Sequence, residues 1–156
     1  MANKTVFTLA AILMALFFWL SNYDRFFFLA HFLQASFYLI VLLLLFYGLE
    51  EWAYVMAVVA PLVWIVLAAL AGIATSGVRG LGGLVSGGGL ENPVDTVAGF
   101  ILLGSLALLV ASARVYKREV WGRPGALRSA LGAIAVVGGY YLVLLYVFYV
   151  RIAPPG

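Results

Sequence analysis

The chain has 156 residues, of which 66% are hydrophobic and only 10% charged. Soluble domains are roughly half apolar and about a quarter charged, so this composition excludes an ordinary water-soluble enzyme or binding module. The net charge of +3 gives no nucleic-acid surface, and the absence of cysteine removes disulfides, thiol redox chemistry, iron–sulfur clusters and thiolate metal sites.

Five long apolar runs hold most of the chain, over about residues 5–21, 26–49, 53–74, 94–113 and 126–150. Each approaches the ~20 helical residues needed to cross a ~30 Å hydrocarbon core. None shows the two-residue alternation of a barrel strand. Backbone polar groups in lipid must be satisfied within the segment, which leaves helices. The expected fold is an all-α, polytopic integral membrane bundle, one unit over residues 1–156 with five transmembrane helices. A four-span alternative leaves the first and shortest run outside the bilayer.

The first run follows Lys4 and is superficially like a signal peptide. Its exit reads Phe17, Phe18, Trp19, Leu20, Ser21, Asn22, with no small-x-small cleavage site. It is therefore read as a retained first helix. Residues 22–25 interrupt the first two runs, and so short a break implies a tight antiparallel hairpin. Glu50 and Glu51 separate the second run from the third. Pro61 lies about two turns into the third, where a kink is expected.

Seven glycines between Gly77 and Gly89 are expected to end helical order and to make a flexible connection. Its apolar residues Leu81, Leu84 and Val85 point to a loop dipping into the interface or packing on a partner. Pore lining is the functional alternative. Asn92 and Pro93 open the fourth helix, with Asp95 at its positive dipole end. The fourth run ends at Arg114. Gly122, Pro124 and Gly125 mark the last turn before a fifth helix that reaches about Val150.

Orientation follows from Lys and Arg. Arg114, Lys117, Arg118, Arg123 and Arg128 put five of the nine basic residues in one short stretch. That stretch is placed in the cytoplasm. Five spans then leave the N-terminus inside with Lys4 and the C-terminus outside with Arg151. Arg114, Lys117, Arg118 and Arg123 also present themselves as ligands for lipid headgroups.

Small residues at four-residue spacing let helices approach closely in lipid. Ala68 and Gly72 in the third run, Gly104, Ala107 and Ala111 in the fourth, and Ala135 and Gly139 in the fifth have this character. The last three spans are therefore expected to form the tight core. The Phe-rich first half is expected to present bulky, lipid-compatible faces.

One polar stripe lies within a span. His31, Gln34 and Tyr38 are spaced by three and four and share a helix face. As a ligand site, this face would meet a quinone head group, a haem iron or a proton. As interhelical glue, it would hydrogen-bond a neighbouring helix for roughly 0.6–2 kcal/mol per group. The second reading is the expected one. A lone histidine cannot make a bis-histidine haem site, which leaves a methionine partner (Met1, Met14 or Met56) or a haem shared with a partner subunit. No metal site and no catalytic constellation is expected. Tyr140 and Tyr141 lie deep enough to need hydrogen-bond partners.

No charged residue falls mid-span, where a transporter or pump would keep one for use. The expected function is a non-catalytic integral subunit of a larger membrane complex, respiratory or photosynthetic in kind. The alternative is a protein binding an apolar ligand (quinone, lipid or carotenoid) at the helix 2 polar face. A small channel using the glycine segment is weaker still. The expected partners are the bilayer, other membrane subunits or further copies of the chain, in a multi-pass cell-membrane location.

Overall fold

The computed structural model describes residues 3–24, 28–87 and 92–152, with side chains as far as residue 146. Arg25, Gly88, Gly89, Pro154 and Pro155 lie outside the described residues, as do the side chains of Tyr149, Val150 and Arg151. Six helices follow in chain order: α1 (Lys4–Tyr23), α2 (Phe28–Phe46), α3 (Glu50–Leu70), α4 (Ile73–Val85), α5 (Pro93–Glu119) and α6 (Ala126–Ile152). There is no strand among the described residues. All but α4 contain a stretch long and apolar enough to cross a membrane.

The helix starts follow from local chemistry. The Asn3 side chain accepts from the amides of Thr5 and Val6, which caps α1. Asn92 accepts from the Val94 amide, Pro93 occupies the first turn, and Asn92 Nδ2 donates to Asp95 Oδ2 at 2.9 Å. Glu50 and Glu51 sit in the first turn of α3, at its positive dipole end. α3 continues as one helix through Pro61, which is buried.

The glycine segment is the main departure from expectation. Residues 73–85 form α4 instead of a flexible loop. Gly72 (φ +75°) adopts the left-handed conformation that ends α3, with its amide bonded to Ala69 O. Glycine inside a helix costs about 1 kcal/mol relative to alanine. Close packing offsets that cost here. A methyl group on Gly77 would sit 2.9 Å from the backbone nitrogen of Gly99. One on Gly80 would sit 2.7 Å from the Asp95 carbonyl carbon, and one on Gly99 would sit 2.5 Å from Gly77 O. α4 advances from Gly77 to Gly80 while its contacts in α5 recede from Gly99 to Asp95, so the two helices run antiparallel. At 13 residues α4 is too short to span.

The core is also distributed differently from expectation. α1 supplies Val6, Ala10, Leu13, Phe17 and Leu20 to it, all nearly or fully buried. Their spacing of three and four is that of one helix face. α1 packs against both α2 and α5, and α3 packs against α2, α5 and α6. The Phe-rich first half is thus interior as well as outward-facing. The last span is the least covered: 22% of its most apolar stretch is buried, against 44% for α3.

Candidate packing residues divide accordingly. Ala68 is buried, Ala111 is half-buried, and Gly104 lies against Leu13. Gly72, Ala107, Ala135 and Gly139 are exposed. None of the four builds the intrachain core: Gly72 makes the turn between α3 and α4, and the buried faces of α5 and α6 turn away from the other three. On α6 the buried residues are Ala126, Ala133, Val137 and Tyr141. A methyl group on Gly139 would meet nothing within 4 Å.

Candidate functional site

His31, Gln34 and Tyr38 share one face of α2, and that face turns inward. Gln34 is 3% exposed and Tyr38 fully buried, while His31 is half-buried. Gln34 Nε2 donates to Tyr141 Oη at 2.8 Å. Tyr141 in turn donates to the Ala60 carbonyl at 2.9 Å. Tyr140 donates to Gln34 Oε1 at 3.4 Å. One amide side chain thereby ties α2 to α6, and through Tyr141 to α3 beside Pro61. The partners of Gln34 are the two deep tyrosines whose own need for partners the sequence signals.

Tyr38 lies one turn further along. Its ring stacks on Phe17 of α1 (centroids 5.8 Å apart, planes 17° from parallel) and meets Phe37 edge-on. Its hydroxyl lies beside Ser105 of α5 and Gln34 without reaching hydrogen-bond geometry to either. Ser105 is not evident as a site residue in the sequence. A serine seven residues before Ser112, both in an apolar span, is the signal that points to it.

His31 occupies a different setting. Its Nε2 lies 3.4 Å from Asp24 Oδ2, at the end of the bundle where α1 gives way to α2. The carboxylate is the polar neighbour of this histidine, while its ring lies 6.4 Å from that of Phe17, the ring on which Tyr38 also stacks. No group of three His, Asp or Glu side chains that could hold a metal occurs among the described residues.

An apolar groove of about 690 Å³ lies on the neighbouring face of α2, between α1 and α2. Phe18, Trp19, Phe32 and Leu39 wall it, with Ala15 and Ala35 among its smaller residues. Such a volume is within the range of small-molecule sites. None of His31, Gln34 and Tyr38 lines it.

The opposite end collects most of the charge. Asn3 N–H donates to Tyr54 Oη at 3.1 Å, Ser129 Oγ donates to Glu51 Oε2 at 3.1 Å, and Arg123 lies 3.9 Å from Glu51. These contacts bring the starts of α1, α3 and α6 and the α5–α6 turn to one end. Arg118 pairs with its neighbour Glu119. The ring edge of Trp52, in the first turn of α3, packs over Gly132 of α6.

The interior chemistry is therefore that of neutral hydrogen bonding. Gln34, Tyr38, Ser105, Tyr140 and Tyr141 offer donors and acceptors between helices, with no carboxylate or imidazole among them. Compared with known protein families, curated proteins and solved structures, the chain matches none.

Proposed function

We propose that this protein is a non-catalytic integral membrane subunit, associating through α6 with another transmembrane helix of a partner protein or a second copy. The observation that carries this reading is the outward face of α6. Ala135, Gly138 and Gly139 are exposed there, between exposed Leu131 and Leu142. Small residues at this spacing admit a second helix backbone at short range. Lipid chains gain nothing from such a groove, whereas a helix gains close van der Waals contact. The buried α2 face supports the non-catalytic part, since Gln34 is engaged by Tyr140 and Tyr141 and no carboxylate or imidazole accompanies it there.

The test is native mass spectrometry after mild-detergent purification, comparing wild type with Gly139→Leu. The expected result is a complex for the wild type and a folded, unassociated chain for the variant. A wild type that is wholly monomeric in native membranes under crosslinking would overturn the reading. We further place the Lys4 end in the cytoplasm, from the basic residues gathered there. Reporter fusions at residue 120 and at the C-terminus should then score opposite sides, and a shared side would refute the five-span threading.

A second reading rests on the α1–α2 groove: an apolar ligand such as a quinone, lipid or carotenoid seated among Phe18, Trp19 and Phe32. Ala35→Phe would fill that groove. Loss of a co-purifying lipid or chromophore in this variant, with subunit association intact, would favour the second reading over the first.

A further inference from the structure

The end of the bundle that holds Lys4 carries Lys4, Arg114, Lys117, Arg118, Arg123 and Arg128 against Glu50, Glu51 and Glu119. Lys4 stands apart, exposed at the start of α1, and the other five cations fall into two groups. Arg118 and Arg123 have carboxylate neighbours, Glu119 and Glu51. Arg114, Lys117 and Arg128 are exposed and make no ion pair among the described residues.

The direction of the second group matters more than its charge. Leu108, Ser112 and Val115 mark the buried face of α5. At 100° per residue, Arg114 and Lys117 fall on the far side from them. Ala126, Ala133 and Val137 mark the buried face of α6, and Arg128 falls opposite those. Arg114, Lys117 and Arg128 therefore project sideways from the ends of membrane-crossing helices. Between them in the chain stand Trp121 and Leu127, each 70% exposed. Tryptophan beside basic residues at a helix end is the composition of a headgroup-level belt.

We propose that Arg114, Lys117 and Arg128, with Trp121 and Leu127, form a collar that binds anionic phospholipid headgroups. The cations meet the phosphates and any further headgroup charge, and arginine adds paired N–H donors to phosphate oxygens. Trp121 and Leu127 enter the acyl boundary beneath. A free phosphate has no use for those two apolar side chains. A soluble acidic protein would have to approach past the headgroups to reach cations that point along the membrane plane.

The full-length chain is reconstituted in mixed phosphatidylcholine and phosphatidylglycerol vesicles and extracted. Retained lipids are then counted by native mass spectrometry. Wild type should retain phosphatidylglycerol in preference to phosphatidylcholine. The Arg114→Gln, Lys117→Gln and Arg128→Gln triple variant should lose that preference, by about fivefold per charge removed, from about 1 kcal/mol per basic residue at an anionic surface. The Arg118→Gln, Arg123→Gln pair should keep most of it, and excess inorganic phosphate should not displace the lipid. Four results each overturn the proposal: no preference in wild type, equal loss in both variants, displacement by inorganic phosphate, or retention of an acidic protein in place of lipid. An unchanged melting temperature in the triple variant separates lost binding from lost fold.

Discussion

The α4–α5 contact and the outer face of α6 are built from the same residue types and do opposite things. Gly77, Gly80 and Gly99 bring two backbones so close that a methyl group at any of them would lie under 3 Å from a neighbouring backbone atom. Gly138 and Gly139 meet nothing within 4 Å. Both regions satisfy the rule that small residues at short helical spacing invite close packing. What separates them is which face the remaining side chains of the helix bury. On α6 the larger inward residues, Val137 and Tyr141, rotate the glycines to the outside. On α4 the glycines themselves meet α5. Small-residue spacing locates surfaces fit for a helix; it does not tell whether the helix that uses them belongs to the same chain.

Gly99→Ala gives the largest expected effect. Its methyl group would meet both Gly77 O and the Leu81 side chain. Overpacking against backbone should cost at least about 3 kcal/mol, above the usual range for side-chain crowding. Thermal unfolding in detergent and protease access to residues 73–85 would report it. A melting point equal to wild type would mean that α4 is not seated on α5.

Next comes Tyr141→Phe, which tests what holds the exposed helix to the bundle. It removes the acceptor of Gln34 Nε2 and a donor to Ala60 O together. The expected loss is about 1–2 kcal/mol of stability, with no change in any co-purifying molecule. A ligand lost at unchanged melting temperature would show instead that Gln34 and Tyr141 serve a binding site.

The smallest change in stability is expected for Gly139→Leu. Leucine is the better helix former by roughly 0.8 kcal/mol and meets open space here, so the isolated chain should be unchanged or slightly stabilised. Leu142→Ala should be similarly mild, since Leu142 is 69% exposed. A large destabilisation of the monomeric chain by Gly139→Leu would put this face back inside the fold and erase the contrast with Gly99.

The sequence by itself determined the class of protein: an all-α bundle with five runs able to cross a membrane, because apolar length and missing charge are one-dimensional properties. Local chemistry was equally legible at Asn92, Pro93 and Asp95, where capping depends on adjacent residues. The α2 face was legible as a face, since His31, Gln34 and Tyr38 follow helical spacing, and the depth of Tyr140 and Tyr141 signalled that they needed partners.

Only the tertiary structure decided that Tyr141 answers Gln34 across 107 positions of chain, and that His31 turns away to Asp24. Only it decided that residues 73–85 are helical, because glycine disfavours an isolated helix and the offsetting contact lies on α5. It also decided which basic residues are already paired. Spacing fixes what can share a face of one helix; which neighbour that face meets depends on the simultaneous packing of all six.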